Sequence, residues 1–170
     1  MEFDEVIRNR YACKKFDGKA VEREKLDAIL EAGRLAPTAK NLQEQRIYVV
    51  QSESGLAKID KLTPCRYGAK TVAVVAFDRN NVFTYPGGTR NSGAEDASIV
   101  AAHMMLAAKN EGIDSCWVNF FDPERAAAEL GLPENEEVLM FLVLGRAAAG
   151  AGPLPGHTRR KEISETVSYI

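Results

Sequence analysis

The sequence predicts a layered domain in which helices pack on a sheet, of the α/β or α+β class. Three observations lead there. Stretches with strand character alternate with helical ones along the chain. One of them, Thr71-Val72-Ala73-Val74-Val75-Ala76-Phe77, is apolar without alternation, as a strand covered on both faces is. The length, 170 residues, is one domain's worth, and a chain of this size buries roughly 70% of the surface that it exposes when unfolded. With 45% hydrophobic and 27% charged residues, the composition is that of a globular protein and not of a disordered one. No internal repeat or low-complexity tract divides the chain, so residues 1–170 are read as a single domain.

Residues 2–9 read as a short helix. Arg10-Tyr11-Ala12-Cys13-Lys14-Lys15-Phe16 follows as a basic segment closed by the turn Asp17-Gly18. Residues 22–36 place Leu26, Ile29, Leu30 and Gly33 at helical spacing. Pro37 stops that helix, because it has no N–H to donate and restricts the residue before it. Thr38-Ala39-Lys40-Asn41 is a loop, Ile47-Tyr48-Val49-Val50 a strand and 53–61 another short helix. After the strand 71–77 comes a polar loop, 78–93, with Phe83, Tyr85 and the turn Pro86-Gly87-Gly88. A long helix over 95–109 leads to a third strand, Ser115-Cys116-Trp117-Val118-Asn119. Asp122-Pro123-Glu124 opens a helix with Asp as cap and Pro at the first helical position. Val138 to Leu144 is a fourth strand, ended by Gly145, and the tail from Gly150 is rich in Gly and Pro before it turns basic at Arg159-Arg160-Lys161.

The helix at 95–109 stands apart. Ile99, Val100, Ala101, Ala102, Met104, Met105, Leu106, Ala107 and Ala108 run almost all the way round it, whereas a surface helix shows one apolar stripe. A partner subunit covering it, hence an intimate homodimer, is the simplest account; central burial in a monomer is the other.

Composition excludes several classes. Twenty-two Lys and Arg against 24 Asp and Glu give a net charge of −2, with no basic field for nucleic acid. Three widely spaced cysteines, Cys13, Cys65 and Cys116, form no zinc motif and suit a reducing compartment. The acidic start Met1-Glu2-Phe3-Asp4-Glu5 is no signal peptide, and the longest apolar stretch, 97–108, is too short for a bilayer, so a soluble protein of the cytoplasm is expected. His103, inside the apolar helix, reads as a core histidine, and His157 lies in a polar tail; neither completes a triad with any Ser and Asp. No dinucleotide-binding or P-loop glycine pattern occurs.

Four segments remain as candidates. Arg8, Arg10, Lys14 and Lys15 near one end and Arg159-Arg160-Lys161 near the other can converge on a phosphate, although two solvated patches are the simpler account from spacing alone. Pro37-Thr38-Ala39-Lys40-Asn41-Leu42-Gln43 offers backbone donors and an amide to a planar heterocycle, or is an ordinary loop. Residues 112–122 put Trp117, Asn119 and exposed backbone at the end of a strand, where ligands of α/β sheets bind. Cys13, among Arg10, Lys14 and Lys15, is expected to have a lowered pKa, with no base beside it in sequence. Asp114 and Asp122 are a carboxylate pair of which the second reads as a helix cap.

Taken together, these segments resemble the FMN-dependent nitroreductase family. The family's R-x-S-x-R/K-x-F motif stands here as Arg10-Tyr11-Ala12-Cys13-Lys14-Lys15-Phe16, and its A-P-S-x-x-N-x-Q-P-W as Ala36-Pro37-Thr38-Ala39-Lys40-Asn41-Leu42-Gln43-Glu44-Gln45. The helix from Asp96, the strand Cys116 to Asp122, Leu130-Gly131-Leu132-Pro133-Glu134-Asn135 and the basic Arg160-Lys161 follow in the family's order.

The resemblance implies an α+β fold, layered α/β/α, in a domain-swapped homodimer, with the tail 150–170 extending toward the partner and FMN at the interface. It implies that Arg10, Lys14, Arg159 and Arg160 hold the FMN phosphate, with Tyr11 and Ala12 passing it by backbone. Pro37, Thr38, Ala39 and Asn41 of the other subunit would line the flavin and ribityl chain, and Asn119 and Phe120 its N5 side. Lys40 or Arg66 would face the N1 and O2 edge, and Phe83 and Tyr85 would wall the substrate or pack their loop onto the domain. It implies ping-pong hydride transfer from NADH or NADPH to a nitroaromatic, quinone or related planar acceptor, with no metal. An FMN carrier or sensor without turnover is the alternative. Departures stand at Tyr11, Ala12 (for Ser), Glu44-Gln45 (for Pro-Trp), Asn119 and Phe120, whose bulk is expected to narrow the site.

Overall fold

The computed structural model describes all 170 residues, and the strands predicted from sequence form one antiparallel sheet. Its strands are β1 (Gln45–Val50), β2 (Thr71–Asp78), β3 (Asp114–Val118) and β4 (Glu136–Gly145), in the order β1-β2-β4-β3. The helices are α1 (Phe3–Asn9), α2 (Arg23–Arg34), α3 (Glu53–Leu62), α4 (Gly93–Asn110) and α5 (Pro123–Leu130). With every strand pair antiparallel the class is α+β, and the α/β alternative falls.

The unbroken apolar run 71–77 is buried throughout because helices cover both faces of the sheet. Alternate residues divide between two cores. Ala73, Val75, Phe77, Met140, Leu142 and Leu144 pack with Ile29, Val100 and Met104 of α2 and α4. Val72, Val74, Ala76, Phe141 and Val143 pack with Leu56, Ile59 and Ala126 of α3 and α5. A bulge pairs Val75 with Met140 but Ala76 with Val138, leaving Leu139 over. That extra residue moves Val138 onto the second face, which strict alternation from Met140 would deny it. Each fully buried Val, Leu, Ile or Phe contributes about 1.5–3 kcal/mol.

Local chemistry sets the ends. Asp122 accepts from the N–H groups of Glu124 and Arg125, Pro123 sits in the first turn, and Gly131 closes α5 at φ 73°, where a side chain would be strained. Helix α2 stops at Arg34, three residues ahead of Pro37. Helix α4 starts at Gly93, two residues before the predicted boundary.

Within the chain α4 is not covered all round. Val100, Ala101, Met104 and Ala108 face the core, while Ile99 and His103 are exposed and Ala102 and Leu106 half-buried on the far side. His103 is therefore not a core histidine; its Nδ1 lies 2.9 Å from the Ile99 carbonyl oxygen, one turn back on the same helix. No helix is long and apolar enough to cross a membrane.

Candidate functional site

Residues 10–16 leave α1 in extended form, meet the free edge of β3 at Ser115 and pass on to residues 146–148 beyond the end of β4. Ala12 pairs with Ser115, the Cys13 N–H donates to the Ser115 carbonyl at 2.9 Å, and the Phe16 N–H donates to the Tyr67 carbonyl at 3.1 Å. Because an extended chain alternates, Cys13 turns in and is fully buried, while Ala12 and Lys14 turn out. The amides of Ala12 and Lys14 have no partner in the chain. Nor are Arg10 and Lys14 paired with any carboxylate. The tail returns to this segment: the His157 ring stands edge-on to Tyr11, 6.3 Å between centroids, only two residues before Arg159. Arg160 donates to the carbonyls of His157 and Arg159 at 2.6 and 2.7 Å. Lys109, at the end of α4, lies over the Tyr11 ring at 5.6 Å and 3.4 Å from Asp114.

The structure corrects the expectation for Cys13. Its sequence neighbours point away, burial pushes the thiol up and outweighs the smaller lowering by Lys109, and Sγ lies 3.3 Å from the Lys15 carbonyl oxygen. Asp114 and Asp122 are not a pair: Asp114 accepts from the Ala147 N–H at 3.0 Å at the start of β3, and Asp122 caps α5 beyond its other end. Arg66 belongs to the scaffold, held by Asp60 at 2.6 Å and bonded to the Ala69 carbonyl.

Asn119 and Phe120 follow β3 on this same edge. Asn119 is four residues beyond Ser115, about 13 Å at a strand's rise. Phe120 is 72% exposed within the chain. Its neighbour Phe121 turns inward and stacks on Phe141 at 4.0 Å.

The loop 37–43 lies elsewhere. Lys40, Asn41 and Gln43 adopt φ of 52°, 55° and 53°, a region that costs a non-glycine residue about 1–3 kcal/mol where the surroundings impose it. Several bonds impose it. The Gln43 N–H donates to Thr38 Oγ1 at 3.1 Å, Asn81 Nδ2 to the Leu42 carbonyl at 2.9 Å, and the Ala39 N–H to Asp96 Oδ1 at 3.0 Å. The exposed Asn41 side chain has no partner. Lys40 lies 4.8 Å from the Phe83 ring centre, and Phe83 and Tyr85 form a tilted pair at 5.3 Å. The Tyr85 hydroxyl bonds Glu95 at 2.5 Å, so the pair is tied to α4.

Beneath this loop lies a group that motif reading passed over. Glu44, just before β1, is fully buried, and Asp96 in the first turn of α4 is buried as well. Ser92 donates to Glu44 at 3.3 Å. Burial and the bond to Asp96 push the Glu44 carboxyl up to about 7. The available signal was a carboxylate standing where the motif has Pro, and a second one opening an apolar helix.

Apart from Asn119 and Phe120, which follow the far end of β3, the predicted residues fall into two groups. Arg10, Tyr11, Ala12, Lys14 and the tail gather at the start of β3, near the C-terminal end of α4. Pro37, Thr38, Ala39 and Asn41 lie at its N-terminal end. Asp96, which holds Ala39, and Lys109, which covers Tyr11, are separated on the helix by about 20 Å. A surface cleft of about 900 Å³ between α5 and the start of β4 contains none of these residues.

The profile of the nitroreductase family matches residues 7–67 and 64–146. A nitroreductase family protein of known structure from Clostridium difficile 630 is 36% identical, with 99% of this chain and 98% of that one covered and a TM-score of 0.91. A protein of Methanothermobacter thermautotrophicus, provisionally named an NADH dehydrogenase/NAD(P)H nitroreductase, is 26% identical over 160 residues, 89% of this chain and 81% of its own length. A provisionally named nitroreductase from Exiguobacterium sibiricum 255-15, solved in complex with FMN, shares the fold at a TM-score of 0.86 and 19% identity, with 100% of this chain and 98% of that one covered. The chain belongs to the nitroreductase family and is a nitroreductase-like oxidoreductase.

Proposed function

We propose that the chain is an FMN-dependent NAD(P)H oxidoreductase that works as a homodimer, each flavin site being assembled from both subunits. The observation that carries this reading is the separation of the two residue groups to opposite ends of α4. A twofold axis that crosses two copies of α4 antiparallel sets the 37–43 loop of one against the basic edge of the other. The outward stripe of Ile99, Ala102, His103 and Leu106 is available for that contact.

The residues present fit the cofactor. Arg10 and Lys14 are unpaired cations beside the outward amides of Ala12 and Lys14, a donor set suited to a phosphate, with Arg159 and Arg160 joining from the tail. The missing hydroxyl at Ala12 leaves those amides and cations to bind alone. Asn119 and Phe120 would offer backbone beside the flavin ring, and Pro37, Thr38, Ala39 and Asn41 of the second subunit would cover it, the Asn41 amide reading a polar edge. FMN supplies the redox chemistry when bound, taking hydride from NADH or NADPH and reducing a nitroaromatic, quinone or related planar acceptor. Phe83 and Tyr85 present ring surface beside the loop to such an acceptor, and Lys40 places a positive charge there. The free thiols of Cys13, Cys65 and Cys116 suit the cytoplasm as compartment.

The test is an absorbance spectrum of the purified protein reconstituted with FMN, before and after anaerobic NADH or NADPH. Flavin bands that bleach support the reading and name the donor. Bound flavin that resists both reductants makes the chain a carrier or sensor, and absence of flavin binding overturns the proposal.

A further inference from the structure

The oxidoreductase reading gives no task to the two carboxyls buried under the 37–43 loop, yet their geometry is complete. One Asp96 oxygen accepts from the Ala39 N–H at 3.0 Å, and one Glu44 oxygen accepts from Ser92 at 3.3 Å. The second oxygens, Asp96 Oδ2 and Glu44 Oε2, are buried with no donor in reach. The Glu44 and Asp96 side chains lie within hydrogen-bonding reach of one another. Two carboxylate oxygens cannot bond without a proton between them, and both groups ionised at this depth would be like charges with no countercharge. One proton satisfies all four oxygens: Glu44 O–H donates to Asp96, Ser92 donates to Glu44, and Ala39 donates to Asp96.

No cation disturbs this arrangement. On α4, Glu95 is engaged by Arg90 and Tyr85 of the 79–92 loop. Lys40 of the flavin loop lies on the Phe83 ring. On the sheet, Arg46 pairs with Asp78 and Glu136. No Lys or Arg pairs with Glu44 or Asp96. The loop, for its part, needs holding, since three of its residues sit in left-handed backbone.

The geometry points to Glu44 and Asp96 as positioning residues: a carboxyl pair that fastens the 37–43 loop through Ala39 while it shares one proton, and loosens the loop when that proton leaves. The ligand so regulated rests on the flavin reading above; the latch itself does not. As pH rises past the titration of Glu44, the loop loses order, and FMN binding must restore the proton.

Two measurements on the full-length protein test this at pH 6 to 9, with wild type, Glu44→Gln and Asp96→Asn. The first follows hydrogen exchange at Ala39 and its neighbours without ligand. In the wild type, protection corrected for intrinsic exchange falls by up to tenfold per pH unit above the titration. In Glu44→Gln it stays flat, because the amide donates to Asp96 and accepts from Ser92 at every pH. Asp96→Asn is flat as well, since its amide donates to Glu44 without a shared proton. The second titrates FMN. The wild-type Kd rises at least tenfold more than that of Glu44→Gln, ionisation of FMN itself being common to both. Coincident exchange profiles in the wild type and Glu44→Gln overturn the latch whatever the flavin does. An exchange profile as described with no FMN binding at any pH upholds the latch and overturns the flavin reading.

Discussion

At the scale of single residues, surroundings decide chemistry more than sequence neighbours do. Cys13 has cations on either side in sequence, but the extended segment alternates and the thiol is buried with its pKa raised. Its reaction with iodoacetamide in the native protein at pH 7.5 is therefore slow, and rises at least tenfold on unfolding. Glu44 shows the same rule in a carboxyl. Its pKa is 4.5 unperturbed and about 7 in the fold. A raised folded pKa means that its stabilisation is complete below pH 4.5 and disappears as pH rises through about 7. Glu44→Gln escapes that loss, so its stability relative to wild type improves between pH 5 and pH 8, by up to about 3 kcal/mol; urea melts at the two pH values measure this. Arg10 and Lys14 became phosphate-binding candidates through the family resemblance, since spacing alone favours two solvated patches. Asp96 was not legible, since its partner Glu44 is 52 positions away and only the fold brings them together.

At the scale of elements, hydropathy and capping patterns located the five α-helices and four strands with differences at their ends, while the short 3-10 turns at 39–41, 79–81 and 163–165 were not foreseen. The bulge at Leu139 was illegible, because an extra residue in a wholly apolar run leaves no trace in the pattern. Close helix packing is equally hidden. A Cβ on Gly33 of α2 would stand 2.7 Å from the Met104 side chain of α4. Gly33→Ala gains helix propensity but overpacks that crossing, and a net loss of about 1 kcal/mol is expected in denaturant melts. The apolar circumference of α4 was legible as a demand for burial, and half of it is met within the chain. Leu106→Asp, on the outward stripe, is expected to give a monomer by sedimentation and to lose FMN while keeping its far-ultraviolet circular dichroism.

At the scale of the whole molecule, antiparallel topology puts the start of β1 and the start of β3 at opposite corners of the sheet, so the loop ahead of β1 and the basic segment at the start of β3 lie far apart in one chain. Sequence motifs list the residues of a site without saying how far apart they fall. Here the family resemblance implied two subunits, and the length of α4 supplies a physical reason. The tail contributes at this scale too. Residues 152–170 are exposed except at His157, and Tyr169 is 97% exposed. Truncation after Gly150 removes Arg159 and Arg160 but no part of either core, and it is expected to leave the unfolding midpoint of the apoprotein within a few degrees while weakening FMN binding by about tenfold or more, the worth of a charged hydrogen bond.

The proposed division of the site between two subunits has a genetic consequence. A chain carrying Arg10→Ala spoils the basic edge it owns but still lends a sound loop to its partner; a chain with its 37–43 loop disabled does the reverse. Each defective homodimer has two broken sites. Mixed dimers of the two collect both lesions in one site and leave the other wholly wild type. Co-expression of two inactive alleles therefore restores activity, with one flavin per hybrid pair, whereas a site built within a single subunit would show no such complementation.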